Sequence, residues 1–229
     1  MNINKLRVSI FLKKDILLVD IYDQLSKFIN SSMLKSDYLK NLHKNSQKFK
    51  LYSYSGLYPL AENNIYKKGT SYFFEINSSS LDILNEFKKV LNLYSNDIFV
   101  SCMVEFIPKK LNCIKKIISI TPCVLTFNNK SLIEKRLCLV KNRIIANAIN
   151  KYNLINNSSL KNHDFIQCIE CTNNKPIKVN YKEGFFFGFK VNLTIKDDDL
   201  SQRIAETIVN TGLLEKNSLG FGFCKGYEG

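Results

Sequence analysis

The stretch KLRVSIFLKKDILLVDIYDQLSKFINSSM, residues 5–33, sets the fold of the chain. Its first part, residues 5–13, alternates apolar and polar side chains, a pattern typical of a half-buried strand. From residue 15 onward the apolar side chains recur at helical spacing, which predicts a helix. The order of these two elements is strand, then helix.

The following segments complete a unit. Residues 49–60 and 70–78 are rich in aromatic and β-branched side chains and are separated by a turn-like segment, which predicts two strands. Residues 80–95 predict a helix capped by Ser80, and residues 97–110 predict a closing strand. The order β-α-β-β-α-β is that of a ferredoxin-like unit.

The same order recurs in a longer form from residue 112. Gly212 is expected to end the last helix, because glycine tolerates the left-handed conformation of a helix C-cap. We therefore predict an α+β protein of two tandem ferredoxin-like, RRM-like domains, residues 1–111 and 112–229. The second unit consists of strand material at 115–127 interrupted at Pro122, a helix at 131–153, a hairpin at 177–196 with its turn around 182–184, a helix at 198–212 and a strand at 218–228.

The chain is strongly basic. Lysine and arginine exceed aspartate and glutamate by 33 to 20, a net charge of +13. This balance favours a polyanionic partner through phosphate contacts and counterion release. Charge alone leaves RNA, DNA, an anionic membrane and a merely solvated lysine-rich surface open.

The sequence favours a cytoplasmic protein without a membrane segment. The first 22 residues carry charges inside their apolar stretch, unlike an export signal. No run reaches the roughly 18 to 20 apolar residues of a membrane span. The seven cysteines are an odd number, which fits reduced thiols better than a disulfide framework.

A glycine-rich segment, GLLEKNSLGFGFCKG, occupies residues 212–226 and joins the last predicted helix to the last strand. Its backbone amides and the side chains of Lys216, Asn217 and Ser218 are expected beside a sheet edge. The missing Cβ atoms of glycine would let a phosphate or ribose approach, and lysine adds charge. A tight turn whose glycines serve only the backbone angles is the alternative. The glycines of this prediction are Gly212, Gly220 and Gly222.

His43 is the better of two histidine candidates for proton transfer. It lies in a lysine-rich segment in which Asp37 is the only acid between residues 35 and 50. An imidazole titrates near neutral pH, while neighbouring lysines favour its neutral form and can stabilise a phosphorane. The alternative is a surface residue in a lysine-rich loop. The other histidine, His163, lies in a polar connecting stretch.

The sequence predicts neither a metal site nor a cofactor. Cys168 and Cys171 form a lone CxxC pair, whereas a zinc site needs further ligands. The consecutive acids at 197–199 begin a predicted helix, where capping and the helix dipole account for them. The chain also lacks a P-loop, a GxSxG elbow and an HExxH motif.

Five motifs together resemble a known family. In chain order they are LH at 42–43, FKLYSYS at 49–55, ISITPCVL at 118–125, GFFFGFKV at 184–191 and GLLEKNSLGFGFCK at 212–225. This order resembles the CRISPR-associated endoribonucleases that cut precursor CRISPR RNA within each repeat, the Cas6 family of the RAMP superfamily. The glycine-rich segment is the most specific of the five.

The resemblance implies metal-independent RNA cleavage in a basic cleft, by attack of a ribose 2′-hydroxyl that leaves a 2′,3′-cyclic phosphate and a 5′-hydroxyl. It implies that His43 is the general acid or base and that Lys50, or Lys48, stabilises the phosphate charge. Some members supply a tyrosine from the first helix. The nearest equivalent here is Phe28, which has no proton to give, and Tyr38 is the candidate replacement.

CRISPR repeat RNA is the expected partner, and other subunits of a CRISPR effector complex or a second copy of the chain are further candidates. Two alternatives are a non-catalytic RNA-binding subunit of such a complex and an ordinary two-domain protein that binds single strands by aromatic stacking. Basic residues near the second domain either contact phosphate or form a solvated face. They are Lys115, Lys116, Lys135, Arg136, Lys141 and Arg143.

Overall fold

The computed structural model of the protein describes residues 1–45, 49–127, 130–131 and 137–229. Its first half contains four labelled strands and three helices. They are β1 (Lys5–Leu12), α1 (Ile21–Met33), α2 (Asp37–Lys44), β2 (Tyr52–Tyr54), β3 (Ser71–Ser78), α3 (Leu81–Leu91) and β4 (Phe99–Phe106).

These four strands form one antiparallel sheet in the order β2-β3-β1-β4. The central strand β1 aligns Val8 with Phe74 of β3 and with Val104 of β4. Alternate side chains of β1 are buried, as its sequence pattern predicts. They pack against the apolar sides of α1 and α3, which form the first hydrophobic core.

The second half contains two helices and six labelled strands. They are β5 (Lys116–Ser119), α4 (Leu137–Asn156), β6 (Ile166–Cys171), β7 (Ile177–Tyr181), β8 (Gly184–Gly188), β9 (Val191–Ile195), α5 (Asp199–Thr211) and β10 (Cys224–Tyr227). Four of them form a second antiparallel sheet in the order β6-β9-β5-β10, which repeats the topology of the first sheet. The prediction of an α+β fold with tandem ferredoxin-like units is confirmed.

The predicted hairpin at 177–196 differs from the structure. Strands β7 and β8 pair with each other and form a separate two-stranded sheet, while β9 alone joins the four-stranded sheet. The partner of β9 at the sheet edge is β6, which begins at the end of the polar stretch around His163 and is absent from the predicted second unit. Its exposed side chains explain the difference, because an edge strand has few core contacts to pattern its sequence.

Helix ends follow their sequence signals. The hydroxyl of Ser80 accepts a hydrogen bond from the amide of Ile83, and the carboxylate of Asp198 accepts one from the amide of Ser201, so both helices have the predicted N-caps. Gly212 follows α5 with a φ of 90°. A positive φ favours glycine, so this residue ends the helix as predicted.

The N-terminal segment of the chain contacts the second half. The short strand Asn2–Ile3 pairs with Lys109–Lys110, and Ile3 is buried in the second core rather than the first. Two further short pairs join Ile16–Leu17 with Ile65–Tyr66 and Thr126–Phe127 with Lys130–Ser131. The boundary between residues 111 and 112 stays a prediction. Among the described helices, none has the length and apolar character that crossing a bilayer requires.

Candidate functional site

A cleft of about 540 Å³ lies between the two halves of the chain. His43 and Lys50 line it from the first half, and Lys216, Asn217 and Ser218 line it from the second. The fold thus brings together five of the residues predicted from the sequence. The other lining residues are Asn30, Phe49, Leu51, Tyr52, Lys151, Tyr181, Lys182, Thr211, Leu214, Glu215 and Leu219.

His43 lies in the last turn of the short helix α2, an element that the sequence pattern did not predict for this lysine-rich segment. Ser36 caps the start of this helix through a hydrogen bond from the amide of Leu39. Within the described part of the chain, the buried Nδ1 of His43 has no hydrogen-bond partner. Burial, followed by the charges of Lys50 and Lys182, lowers the pKa of His43 below its usual 6.5. The imidazole is therefore neutral at neutral pH and can accept a proton.

Lys50 approaches His43 from the segment that leads into β2. Its Nζ atom donates a hydrogen bond to the main-chain oxygen of His43 over 3.1 Å. Burial lowers the pKa of Lys50 from its usual 10.5. Lys48, the alternative to Lys50 in the sequence reading, lies outside the described residues.

The position of Phe28 explains why it offers no catalytic group. Its ring is fully buried in the first core, 5.1 Å from the ring of Tyr94 and 5.2 Å from that of Phe99. The residue of α1 that reaches the cleft is Asn30. Tyr38 is 48% exposed and does not line the cleft.

A hydroxyl that the sequence reading did not single out is that of Tyr181, at the end of β7. Tyr181 lines the cleft, and its hydroxyl lies 3.4 Å from the Oγ atom of Ser26 on α1. The next residue, Lys182, has a φ of 53° in the turn to β8 and adds a cation to the same wall. The hairpin thus extends the second half of the chain across to the first helix.

The glycine-rich loop, residues 212–222, forms the opposite wall. A Cβ atom on Gly212 would lie 2.6 Å from Nδ2 of Asn217, and one on Gly220 would lie 2.7 Å from the ring of Tyr54. A Cβ atom on Gly222 would collide with the carbonyl oxygen of Leu213. The space left by these glycines is therefore filled by protein atoms, not by room for a ligand as the sequence reading has it. Contact between these three residues and RNA stays a prediction.

Three consecutive amides of this loop are unpaired. Within the described residues, the backbone N–H groups of Lys216, Asn217 and Ser218 donate to no acceptor of the protein. The turn Asn217–Leu219 follows Lys216, which has a left-handed φ of 61°. Successive amides at such a turn form a concave site that suits an anion.

Lys151 and Lys182 are the cations of the cleft that the sequence reading missed. Lys151 continues the apolar side of α4 after Val140, Ile144 and Ala148, and a lysine at such a position signals a buried charge. Lys182 carries a weaker signal, because lysine is common in exposed turns. Glu215 is the one acid among the residues that line the cleft, and it pairs with Arg143 at 3.1 Å.

The remaining predicted basic residues lie elsewhere. Lys115 and Lys116 are exposed at the start of β5 and do not line the cleft. Lys141 forms an ion pair with Asp164 at 2.8 Å. Lys135 and Arg136 fall outside the described residues.

Comparison with known proteins identifies the family. Residues 108–226 match the family model described as "CRISPR associated protein Cas6, C-terminal". The chain belongs to the Cas6 family. It matches none of the curated proteins with which it was compared.

Solved Cas6 and RAMP structures share the whole fold. A CRISPR-associated protein Cas6 superposes with a TM-score of 0.74 at 16% identity, over 100% of both chains. A RAMP protein that binds different RNA substrates gives 0.75 at 19% identity, over 98% of this chain and 100% of its own. The product of a Cas6-related gene from Pyrococcus furiosus gives 0.67 at 17% identity, over 99% of both. At these identities the likeness shows the common architecture.

Proposed function

We propose that the protein is an endoribonuclease that cuts precursor CRISPR RNA within its repeats without a metal ion, to generate guide RNAs. The observation that carries this proposal is one cleft lined by His43 and Lys50 on one side and, on the other, by Lys216 and the amides of residues 216–218, which have no acceptor within the described part of the chain. Membership of the Cas6 family supports the substrate. Similar folds also include a Cas6 product complex, with a TM-score of 0.62 at 12% identity.

The proposed reaction is a transesterification within the RNA. His43, neutral because burial and two lysines lower its pKa, takes the proton of the ribose 2′-hydroxyl. The 2′ oxygen attacks the adjacent phosphorus while the bond to the 5′ oxygen breaks. The products are a 2′,3′-cyclic phosphate and, after the leaving oxygen takes a proton from water, a 5′-hydroxyl.

Charge stabilisation comes from the lysines that face His43. Lys50 and Lys182 are the cations that lower the pKa of His43, so both lie near the imidazole. Negative charge that builds on the phosphate in the transition state is stabilised by preplaced cations and amide donors in a partly dehydrated cleft. Lys216 and the amides of residues 216–218 hold the RNA backbone on the opposite wall.

The test uses labelled repeat RNA from the array beside the gene, with EDTA in the buffer. Wild-type protein is expected to cut at one site, and an RNA with a 2′-deoxy ribose at that site is expected to stay intact. His43→Ala is expected to lower the rate by about 10²- to 10⁴-fold, the usual range for loss of general base catalysis.

His163→Ala is the matched control, because it removes the other histidine. Its Nε2 atom lies 2.9 Å from Oγ of Ser201 at the start of α5 and does not line the cleft. The control is expected to cut at the wild-type rate. Tight binding without cutting would instead assign the protein to the non-catalytic subunits of an effector complex. Cutting that survives in His43→Ala would move the catalytic role to Lys50.

A further inference from the structure

Lys151 is a fully buried lysine whose ammonium group points into the base of the glycine-rich loop. The residue is only 1% exposed. Its Nζ atom lies 2.8 Å from the carbonyl oxygen of Gly212, 3.1 Å from that of Leu214 and 2.7 Å from Oδ1 of Asn217. All three acceptors belong to the loop, while Lys151 belongs to α4.

The three oxygens around Nζ of Lys151 indicate that this side chain stabilises the loop. An ammonium group has three donors and no acceptor, so the three oxygens use its whole hydrogen-bonding capacity. Burial of a charged group is unfavourable unless such partners compensate it. A lysine with three acceptors in one loop holds that loop at three points at once.

Asn217 extends these bonds across the loop. Its Oδ1 atom accepts from Lys151, and its Nδ2 atom donates to the carbonyl oxygens of Leu213 at 2.9 Å and Phe221 at 3.0 Å. The side-chain amide of Asn217 thus links the beginning of the loop, at Leu213, to its end, at Phe221. Because Gly212 and Gly222 have no Cβ, they leave the space that this amide fills.

We propose that Lys151 is a positioning residue which, together with Asn217, fixes the glycine-rich loop in the shape that binds repeat RNA. The two side chains form an internal brace that holds the turn Asn217–Leu219 and so directs the amides of residues 216–218 and the side chain of Lys216. Lys151 acts through the loop and not on the RNA. The part of this inference that concerns RNA rests on the function proposed above.

The test compares Lys151→Met, which keeps an unbranched side chain only one atom shorter and removes its donors, with Lys89→Met. Lys89 is a surface lysine of α3 whose side chain is 71% exposed, so the control removes the same charge far from the loop. The first measurement is amide hydrogen exchange over residues 212–222 in the free protein. Exchange in Lys151→Met is expected to rise about tenfold in this segment and to stay unchanged in α3 and β1.

The second measurement separates binding from chemistry with repeat RNA under single-turnover conditions. Lys151→Met is expected to raise the dissociation constant about tenfold, as loss of charge-assisted hydrogen bonds predicts. The rate constant at saturating RNA is expected to stay within about threefold of wild type, because His43 and Lys50 lie in the other half of the chain. Lys89→Met is expected to match wild type in both quantities.

Unchanged exchange in the loop of Lys151→Met would overturn the brace, and so would a lower saturating rate at unchanged affinity. Should Lys151→Met not fold, Asn217→Ala takes its place, since it removes the side-chain acceptor and both amide donors but keeps the lysine. It must then show the same two changes, and their absence would refute the proposal. The exchange experiment needs no RNA, so a wild-type protein that ignores repeat RNA would overturn the proposed function while the brace is still tested.

Discussion

The side chain of Lys50 closes the end of the helix that carries His43, because its Nζ atom donates to the main-chain oxygen of His43 over 3.1 Å. Carbonyl oxygens at the end of a helix lack partners within the helix, so a lysine there is a C-terminal cap. The same ammonium group lowers the pKa of the imidazole. Lys50 therefore caps the helix that carries the proposed base and, after burial, contributes to the lowered pKa of its imidazole.

Removal of this charge has a definite sign. In Lys50→Met the pKa of His43 is expected to move up towards 6.5, since one of the two cations that lower it is gone. Proton NMR titration of the imidazole measures the shift. Lys44→Met is the control, because Lys44 is an exposed neighbour in the chain that does not contribute to the lowered pKa. A downward shift in Lys50→Met would contradict the arrangement.

Tyr181 and Tyr38 are two candidates for the role of the tyrosine that α1 lacks, and the same substitution can be made at both. Tyr181→Phe is expected to lower the rate of RNA cutting about fivefold, the loss expected for one hydrogen bond, because its hydroxyl belongs to a residue that lines the cleft. Tyr38→Phe is expected to cut like wild type, because Tyr38 does not line the cleft. Single-turnover rates with saturating RNA decide between the two. The reverse order of effects would return the role to Tyr38.

Alanine substitutions at Gly222 and Gly69, which both have a positive φ, distinguish the cost of a steric collision from the cost of backbone strain. In Gly222→Ala a Cβ atom would strike the carbonyl oxygen of Leu213, whereas Gly69, with a φ of 78°, has no atom within 4 Å of that position. Both substitutions carry the strain of a left-handed alanine, about 1–2 kcal/mol. Gly222→Ala is expected to lower the free energy of unfolding by a further amount of about 1–3 kcal/mol, as overpacking does. Urea denaturation of the two variants measures this difference. Equal decreases in the free energy of unfolding would show that the loop moves to accommodate the Cβ atom at no cost.

The buried Lys151 makes stability depend on pH. Burial lowers the pKa of Lys151 from 10.5 to about 7 in the folded protein. The unfolded chain keeps this proton up to its ordinary pKa, so between pH 7 and 10.5 the unfolded state binds more protons. The free energy of unfolding is therefore expected to rise with pH in this window, by at most about 1.4 kcal/mol per pH unit.

Lys151→Met is expected to lose this part of the slope, and urea denaturation at several pH values from 7 to 9 measures the difference from wild type. The groups that face Lys151 are Glu215 and the thiols of Cys123 and Cys224. Burial raises the pKa of Cys123 to about 12 and also raises that of Cys224, so neither thiol ionises in the measured range. Parallel curves for wild type and variant would place the folded-state pKa of Lys151 at its ordinary value.

The sequence predicted the fold well where side chains alternate or cap. The alternation in β1, the Ser80 and Asp198 caps and the helix end at Gly212 are local patterns, and the structure has all of them. Helix α2 escaped prediction because it is short: only Leu39 is buried and Leu42 partly buried, so its eight residues give two apolar positions among charged ones.

The site was predicted only in part, because local sequence patterns do not record contacts between distant residues. Charge and chemistry pointed to His43 and the glycine-rich loop, and the family resemblance pointed to Lys50; the fold brings all three to one cleft. The helical spacing could have indicated that Lys151 is a buried charge, but neither its partners nor those of Tyr181 could be predicted, because these contacts join distant parts of the sequence. No local pattern records that a lysine of α4 ends beneath Gly212, or that a hairpin reaches the first helix.

Ile3 is buried in the second core, although it precedes the first strand of the first sheet. An expression plasmid for residues 1–111 alone would yield a fragment with an exposed isoleucine, and one for residues 112–229 would yield a fragment with a gap where that side chain belongs. Fragment complementation, with the two pieces produced in the same cell, would therefore depend on insertion of the Ile3 side chain of one polypeptide into the core of the other.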